Sequence, residues 1–400
     1  MNYELRTTND EPLSRKEHPM DFKHQLITWR HYLHQHPETA FEEKTAPRLV
    51  ADEMRKAGID VVEGVGKTGV VGTLRCGTGS ACIGIRADMD ALDITEQSTH
   101  DHISQNPGKM HGCGHDGHTI TLLGAALLLA QRKSFNGTVR FIFQPAEEPG
   151  WGAKAMIDDG LFDRFPMDEI YGLHNAPFLP AGKIATRVGG MAASEDDFAF
   201  TITGKGGHAS SPHEGNDPLA SFAEIYLALQ TIVSRNAAPQ RPVVVSCTEI
   251  ETDGAHNAIP THVTVRGDAR TTTPQDQALV ERRMRDIVEG VCAMNHARCE
   301  FTYSHEFFPV VNTEACVKTA VKAARAVFGE ANVDGSCEPW MASEDFAAYL
   351  QHVPGCFLLL GSGKQATNNV SLHQNIFDYN DEVLELGARF WAELVEERIK

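Results

Sequence analysis

Apolar residues recur along the chain in two textures. "DFKHQLITWRHYLHQ" (21–35) and "EEKTAPRLVADEMRKAG" (42–58) space them three and four apart. That spacing predicts amphipathic helices, the second closing on Gly58, whose missing side chain tolerates a left-handed cap. Short apolar runs follow in "GVVGTL" (69–74), "CIGIRAD" (82–88), "TVRFIFQ" (138–144) and "EIYGLH" (169–174). They do not alternate and are rich in Val, Ile and Phe, which predicts strands buried on both faces. Helical segments lie between several of them, so the pattern predicts an α/β layer with a largely parallel sheet flanked by helices.

The texture changes near residue 192. "DFAFTITGKGG" (197–207) alternates with period two, and "DPLASFAEIYLALQTIVSR" (217–235) reads as a helix with Asp217 as N-cap and Pro218 in its first turn. Two strands follow, "RPVVVSCTEIE" and "THVTVRGDART", then a helix opened by Thr273 and Pro274, then the strand "ARCEFTYSHEF". The order β-α-β-β-α-β is the ferredoxin-like pattern. From about residue 308 the helix–strand–helix texture returns through "GCFLLLGSG" to the C-terminal helix. The expected organisation is therefore an α/β domain of residues 1–191 and 308–400, into which an α+β domain of residues 192–307 is inserted.

Composition narrows the partners. The 400 residues carry a formal charge of −18 and are 42% hydrophobic. They show no basic cluster of the kind nucleic acid or an anionic membrane surface attracts. No run reaches the ~18 apolar residues of a membrane helix, and the polar opening "MNYELRTTNDEPLSRKEHPM" has no apolar core of a signal sequence. The nine cysteines are odd in number, scattered and free of C-x-x-C, which predicts reduced thiols in the cytoplasm.

Chemistry concentrates where strands end. "CIGIRADMD" delivers Asp88 and Asp90, "VRFIFQPAEE" delivers Glu147 and Glu148, and "EIYGLHN" delivers His174. Ligands bind beyond the carboxyl ends of parallel strands, so these groups are expected to share one site. "KMHGCGHDGHTITLLG" (109–124) adds Cys113 and His115 on a loop leading into a helix, with Asp116 as its expected N-cap. Thiolate, imidazole and carboxylate together suit a borderline ion such as Zn²⁺, Mn²⁺, Co²⁺ or Ni²⁺. A structural zinc knuckle would need four Cys or His in a short span, and only one Cys is present. His111 and His118 read as helix-end or supporting residues. Glu147 and Glu148 are neighbours on what reads as an extended chain, so they would point opposite ways. One could face a metal and the other a water whose proton it removes.

"RADMDAL", "MHGCGHDGHT", "QPAEE", "GLHN", "GKGGHASSPH", "HNAIP", "SEDF" and "SLHQNIFD" stand together in this order. In this the chain resembles the hippurate hydrolase and indoleacetyl-amino-acid hydrolase family, dinuclear-metal amidohydrolases of the aminoacylase and carboxypeptidase clan. The resemblance runs from "HQHPETAFEE" to the C-terminal helix. It implies that Cys113, His115, Glu148, His174 and His373 hold two divalent ions and that Glu147 is the general base. It implies that His208, from the inserted domain, stabilises the oxyanion and that Asn257 holds substrate. The implied reaction is hydrolysis of N-acyl amino acids, hippurate-like ones foremost, by metal-activated water. Deacetylation of N-acetyl diamino acids, dipeptide cleavage, and a metal-fold binding protein without turnover are the alternatives. The inserted domain, with helices for only one face of its sheet, is expected to act as a lid and to pair two copies through an edge strand. That would place His208 at the neighbouring subunit's metals. Asp93 replaces a proline usual in the family, while Pro149 and Trp151 stand where small residues are common and are expected to shape the substrate pocket. Asp88 and Asp90 are expected to support the ligands from behind. For Glu344 a supporting role and a helix-terminal carboxylate are both open.

Overall fold

The computed structural model describes residues 22–364 and 369–400. The polar opening segment, with Asp21, lies outside the described residues. An eight-stranded sheet runs in the order Asp60–Val65, Gly69–Cys76, Gly137–Gln144, Cys82–Asp88, Glu169–Pro180, Gly355–Gly363, Ile184–Ala185, Val333–Asp334. Four central strands, Gly137–Gln144 through Gly355–Gly363, are mutually parallel. The margins are not. Gly69–Cys76 pairs antiparallel with both of its neighbours, and Ile184–Ala185 runs antiparallel to Gly355–Gly363. The sheet is thus parallel at its centre and mixed overall, the antiparallel pairings lying towards its margins. The reason is connection length: only three residues, 66–68, link the first two strands, and a parallel pair needs a long crossover. The first strand, mostly exposed, carries no apolar run that pattern reading could find.

The unalternated central strands serve two cores at once. Phe141 and Phe143 pack into a core with the helices Phe22–Gln35, Thr45–Lys56, His115–Arg132 and Leu384–Arg398, while Ile142 between them joins a second core with Met156, Phe346 and Phe357. Leu358 and Leu360 likewise face the first core, and Phe357 and Leu359 the second. Side chains alternate across a strand, so a strand covered on both faces is apolar at every position. The helix His115–Arg132 is buried on nearly all sides, which is why its apolar positions show no polar stripe.

A four-stranded antiparallel sheet, ordered Val243–Thr252, His262–Thr271, Glu195–Thr203, Arg298–Phe307, is built wholly from residues between two strands of the large sheet. Phe198, Phe200 and Ile202 alternate towards the helices Pro218–Thr231 and Pro274–Met294, with Val263, Val265, Leu229 and Met284 in the same core. Both helix starts follow the sequence: Asp217 accepts from Leu219 N at 2.8 Å and Thr273 from Asp276 N at 3.2 Å. The helix Thr45–Lys56 also ends as expected, with Gly58 at φ +79° one residue past the cap Ala57. Asp116, however, is not an N-cap. The helix starts at His115 behind Gly114 at φ +94°, and Asp116 sits inside its first turn. No helix among the described residues is long and apolar enough to cross a membrane.

Candidate metal centre

The loop before the buried helix is shaped by glycine. A side chain on Gly114 would need left-handed backbone and would come within 2.6 Å of Asn175 Oδ1; one on Gly117 would meet the Tyr379 ring at 2.3 Å. The loop can therefore lie directly over the ends of the parallel strands, which puts Cys113 and His115 there. His174 comes from the middle of Glu169–Pro180, Glu147 and Glu148 from the turn after Gly137–Gln144, and His373 from the loop after Gly355–Gly363. That last loop is tied to the first by His373 N–H donating to Gly112 O at 2.9 Å. His373 itself holds φ +63°, a conformation that a non-glycine residue keeps only where its surroundings impose it.

The five expected ligands converge. Cys113 Sγ lies 3.3 Å from His174 Nε2 and 3.3 Å from His373 Nε2. Glu148 is 3.5 Å from His373 Nε2 and 3.8 Å from His115 Nε2. The donor atoms of Cys113, His115 and His174 lie within 4.8 Å of one another, as do those of Cys113, Glu148 and His373. Each buried imidazole is oriented from behind. His115 Nδ1 is 2.9 Å from Asp90 O and His174 Nδ1 is 2.8 Å from Asn175 O, so each donates there and turns its Nε2 lone pair inward.

This donor set fits a pair of metal ions. His115 Nε2 and Glu148 Oε1 are buried without a hydrogen-bond partner among the described residues. Negative groups crowd with too little positive charge between them. Burial, then Glu148 and Glu147, pushes the Cys113 thiol far up. Burial, partly offset by His115 and reinforced by Asp90, raises Glu148 to about 7. Burial lowers His174, and burial with His115 lowers His373. Burial opposes a charge on His115, but Asp88, Asp90 and Glu148 outweigh it and raise His115 to about 10. A thiol and carboxyls driven towards protonation, beside an imidazole that holds a proton for want of another cation, are a set that divalent cations would satisfy.

Glu147 occupies a different setting. The turn holding it is not extended: Ala146 has φ +51°, and Gly150 N–H donates to Glu147 O at 2.7 Å. The turn, not strand alternation, sets the two carboxylates, and they do not point opposite ways. Both approach His115 Nε2, Glu147 at 4.0 Å, but Glu147 Oε1 turns towards Asp345, accepting from its N–H at 3.4 Å. Burial, then Glu344, Asp345 and Glu148, raises the Glu147 carboxyl well above the ordinary range.

Beneath it lies a network that motif reading passed over. Arg86, fully buried, reaches Asp88 at 2.6 Å, Asp345 at 2.9 Å and Glu344 at 3.0 Å. A charged residue inside the otherwise apolar "CIGIRAD" was the available signal. Glu344 does both things left open for it: it caps Phe346 N at 3.1 Å and pairs with Arg86 beside Glu147. Asp88 also lies 2.6 Å from His118 Nδ1, while Asn175 N–H donates to His118 Nε2 at 2.9 Å. Asp90 accepts from Glu148 N at 3.1 Å. Asp88, Asp90 and His118 thus brace the surroundings of the expected ligands, and His111 is buried nearby with its Nδ1 unpartnered among the described residues.

Cys113, Glu147, Glu148, His174 and His373 line a cleft of about 1000 Å³. Phe178, Phe307 and Trp340 give it an aromatic wall, and Arg270 lies at its side, held by Glu195 at 2.8 Å and Asp268 at 3.0 Å. Trp151 is not among the lining residues; it is 59% exposed and stacks on Phe41. Asp93 is exposed. His208 and Asn257 also do not line the cleft among the described residues. They are neighbours of each other, both exposed: the short strand Gly207–His208 pairs with Ala258–Ile259, and Ala209 N–H donates to Asn257 O at 3.0 Å.

Residues 84–397 match the family model described as peptidase family M20/M25/M40. The hippurate hydrolase of Campylobacter jejuni is 36% identical over 381 residues, 95% of this chain and 98% of that protein. The N-acetylcysteine deacetylase of Bacillus subtilis is 36% identical over 93% of this chain and 96% of its own. A Bacillus subtilis structure described as a dinuclear metal-binding peptidase from the M20 family superposes with a TM-score of 0.82 at 32% identity, covering 94% of this chain and 98% of that one. With its glycine-shaped loop, converging donors and match over most of its length, the chain belongs to peptidase family M20/M25/M40.

Proposed function

We propose that this protein is a metal-dependent amidohydrolase that cleaves N-acyl amino acids to a carboxylic acid and a free amino acid. The observation that carries the reading is the convergence of five donor groups from four segments on one cleft, with Glu147 beside them. Cys113, His115, Glu148, His174 and His373 would hold two divalent ions. When bound, such ions acidify water and polarise an amide carbonyl. Glu147 takes the proton from the attacking water and returns it to the leaving amine. Burial and the neighbouring carboxylates raise its affinity for a proton, so it can hold the proton between uptake from water and delivery to the amine. The Asp345 N–H and the Arg86–Glu344 pair fix the carboxyl on the side facing the cleft. Phe178, Phe307 and Trp340 favour an aromatic acyl group, such as benzoyl, against the wall. The relatives named for hippurate and N-acetylcysteine hydrolysis act on linear amides of this class.

Residues 192–307 are read as an inserted lid and dimerisation domain in a catalytic domain of 1–191 and 308–400. The exposed strand Val243–Thr252 is a free edge of the small sheet, and the neighbouring helix exposes Leu219, Tyr226 and Leu227, the last 69% exposed. A two-fold contact there covers edge and apolar surface together. His208 would then reach the partner's cleft to stabilise the oxyanion, with Asn257 beside it to hold substrate. The free state of all nine cysteines suits a cytoplasmic enzyme. The test is hydrolysis of N-benzoyl, N-acetyl and N-indoleacetyl amino acids by metal-reconstituted protein. Benzoyl substrates are expected to lead. Cleavage of free dipeptides or N-acetyl diamino acids alone would move the assignment to those rivals, and no turnover at all would leave a binding protein.

A further inference from the structure

A second histidine cluster lies behind the loop that carries Cys113, and the proposed hydrolysis uses none of its groups. The helix Phe22–Gln35 supplies His31 and His34, and residues 96–102 supply Glu96, His100 and His102. His34 Nδ1 lies 2.8 Å from Asp116 Oδ2, and its Nε2 lies 3.2 Å from Glu96 Oε1. His100 Nε2 approaches the same Glu96 oxygen at 3.1 Å. Yet both ring nitrogens of His100 are buried without a hydrogen-bond partner among the described residues. One carboxylate oxygen thus faces two imidazole nitrogens, at 3.2 and 3.1 Å.

Spacing and setting are those of a ligand set. The donor atoms of His34, Glu96 and His100 lie within 4.8 Å of one another. A tetrahedral ion with bonds of 2.0–2.1 Å places neighbouring ligand atoms about 3.3 Å apart. The two pairs at 3.1 and 3.2 Å come close to that edge length, as do the 3.3 Å pairs around Cys113. Asp116 stands behind His34 as a carboxylate stands behind many metal-binding histidines, fixing Nδ1 as the donor and leaving Nε2 for the ion. The His34 side chain is fully buried, that of Glu96 is 2% exposed and that of His100 is 19% exposed. An ion would be held from inside and reached from the His100 side.

We propose that His34, Glu96 and His100 form a further divalent-metal site, separate from the hydrolytic pair and suited to Zn²⁺. Two imidazoles and one carboxylate match that ion's preferences and leave room for water. Its place suggests what it does. The site joins the helix Phe22–Gln35 to the segment that runs on to Cys113, and through Asp116 it touches the helix that begins with His115. An ion there would clamp the ligand-bearing loop without entering the reaction. The competing arrangement is a shared proton: burial lowers the His34 pKa, but the bonds to Asp116 and Glu96 outweigh it and raise it to about 9.

Zinc content separates the two. Zn²⁺ per chain is measured after dialysis against dilute Zn²⁺ for the wild type, His100→Ala and Glu96→Gln, and for both variants combined with Cys113→Ala. Each variant is expected to hold one ion fewer than its parent in both backgrounds. Added Zn²⁺ should raise the Tm of Cys113→Ala and leave that of Cys113→Ala/His100→Ala unmoved. Circular dichroism identifies a misfolded variant, and the near-isosteric Glu96→Gln carries the test if His100→Ala does not fold. Equal zinc content in parent and variants, with equal Tm gain, would overturn the proposal and leave a proton-held ion-pair cluster.

Discussion

The cleft at the ends of the parallel strands and the turn bearing His208 carry chemistry of the same kind in opposite settings. In the cleft, Cys113, His115, Glu147 and His174 are buried, oriented by the backbone or by a neighbouring carboxylate, and brought together from distant segments. At the turn, His208 and Asn257 are exposed, and His208 Nδ1 meets its near neighbour Ser210 at 2.8 Å. A buried group with an unmet need is finished by an ion. The difference teaches that one chain brings the candidate ligands and base together by itself, whereas His208 has a place at a cleft only in the proposed pairing of two copies.

The strongest way to break this comparison is to empty the cleft. A chelator is expected to abolish hydrolysis, and Zn²⁺, Mn²⁺, Co²⁺ or Ni²⁺ to restore it, with rate and metal content followed together. Cys113→Ala should lose both. Full activity in demetallated protein would end the metal assignment. Next in size is the separation of base from ligand. Glu147→Gln should lower kcat by about 10²–10⁴ with metal content unchanged, while Glu148→Gln should lower metal content too. The reverse pattern in metal analysis would mean that the two roles are exchanged.

A smaller loss is expected from the turn. His208→Ala should lower kcat by about 10²–10³, the usual effect of removing an oxyanion donor. Co-expression with Glu147→Gln sharpens the point. If His208 serves the partner's cleft, one site in each heterodimer keeps both intact groups and activity returns. If it serves its own chain, every site stays defective, and inactive verified heterodimers would refute the shared site. The smallest effect is structural. Asp217→Ala removes the cap on Leu219 N–H and should cost about 1 kcal/mol in denaturant unfolding of the small-sheet core. Metal content should not change, because the ligands lie in the other region.

The sequence alone determined what depends on local pattern and on residue chemistry. Apolar spacing placed the helices, the proline-led starts at Asp217 and Thr273 and the unalternated central strands, because period and capping are local properties. The crowding of Cys113, His115, Glu147 and Glu148 near strand ends marked the site, because parallel strands deliver their ends to one edge. Only the tertiary structure decided the rest. It made the sheet mixed, since a three-residue link and an exposed first strand leave no apolar signature. It turned Asp116 from a helix cap into a partner for His34, and Trp151 from a pocket wall into a surface stack on Phe41. It also joined Arg86 to Glu344 and Asp345, 258 and 259 residues along the chain. Pairings across such distances depend on which surfaces meet after folding, and no spacing in the chain encodes them.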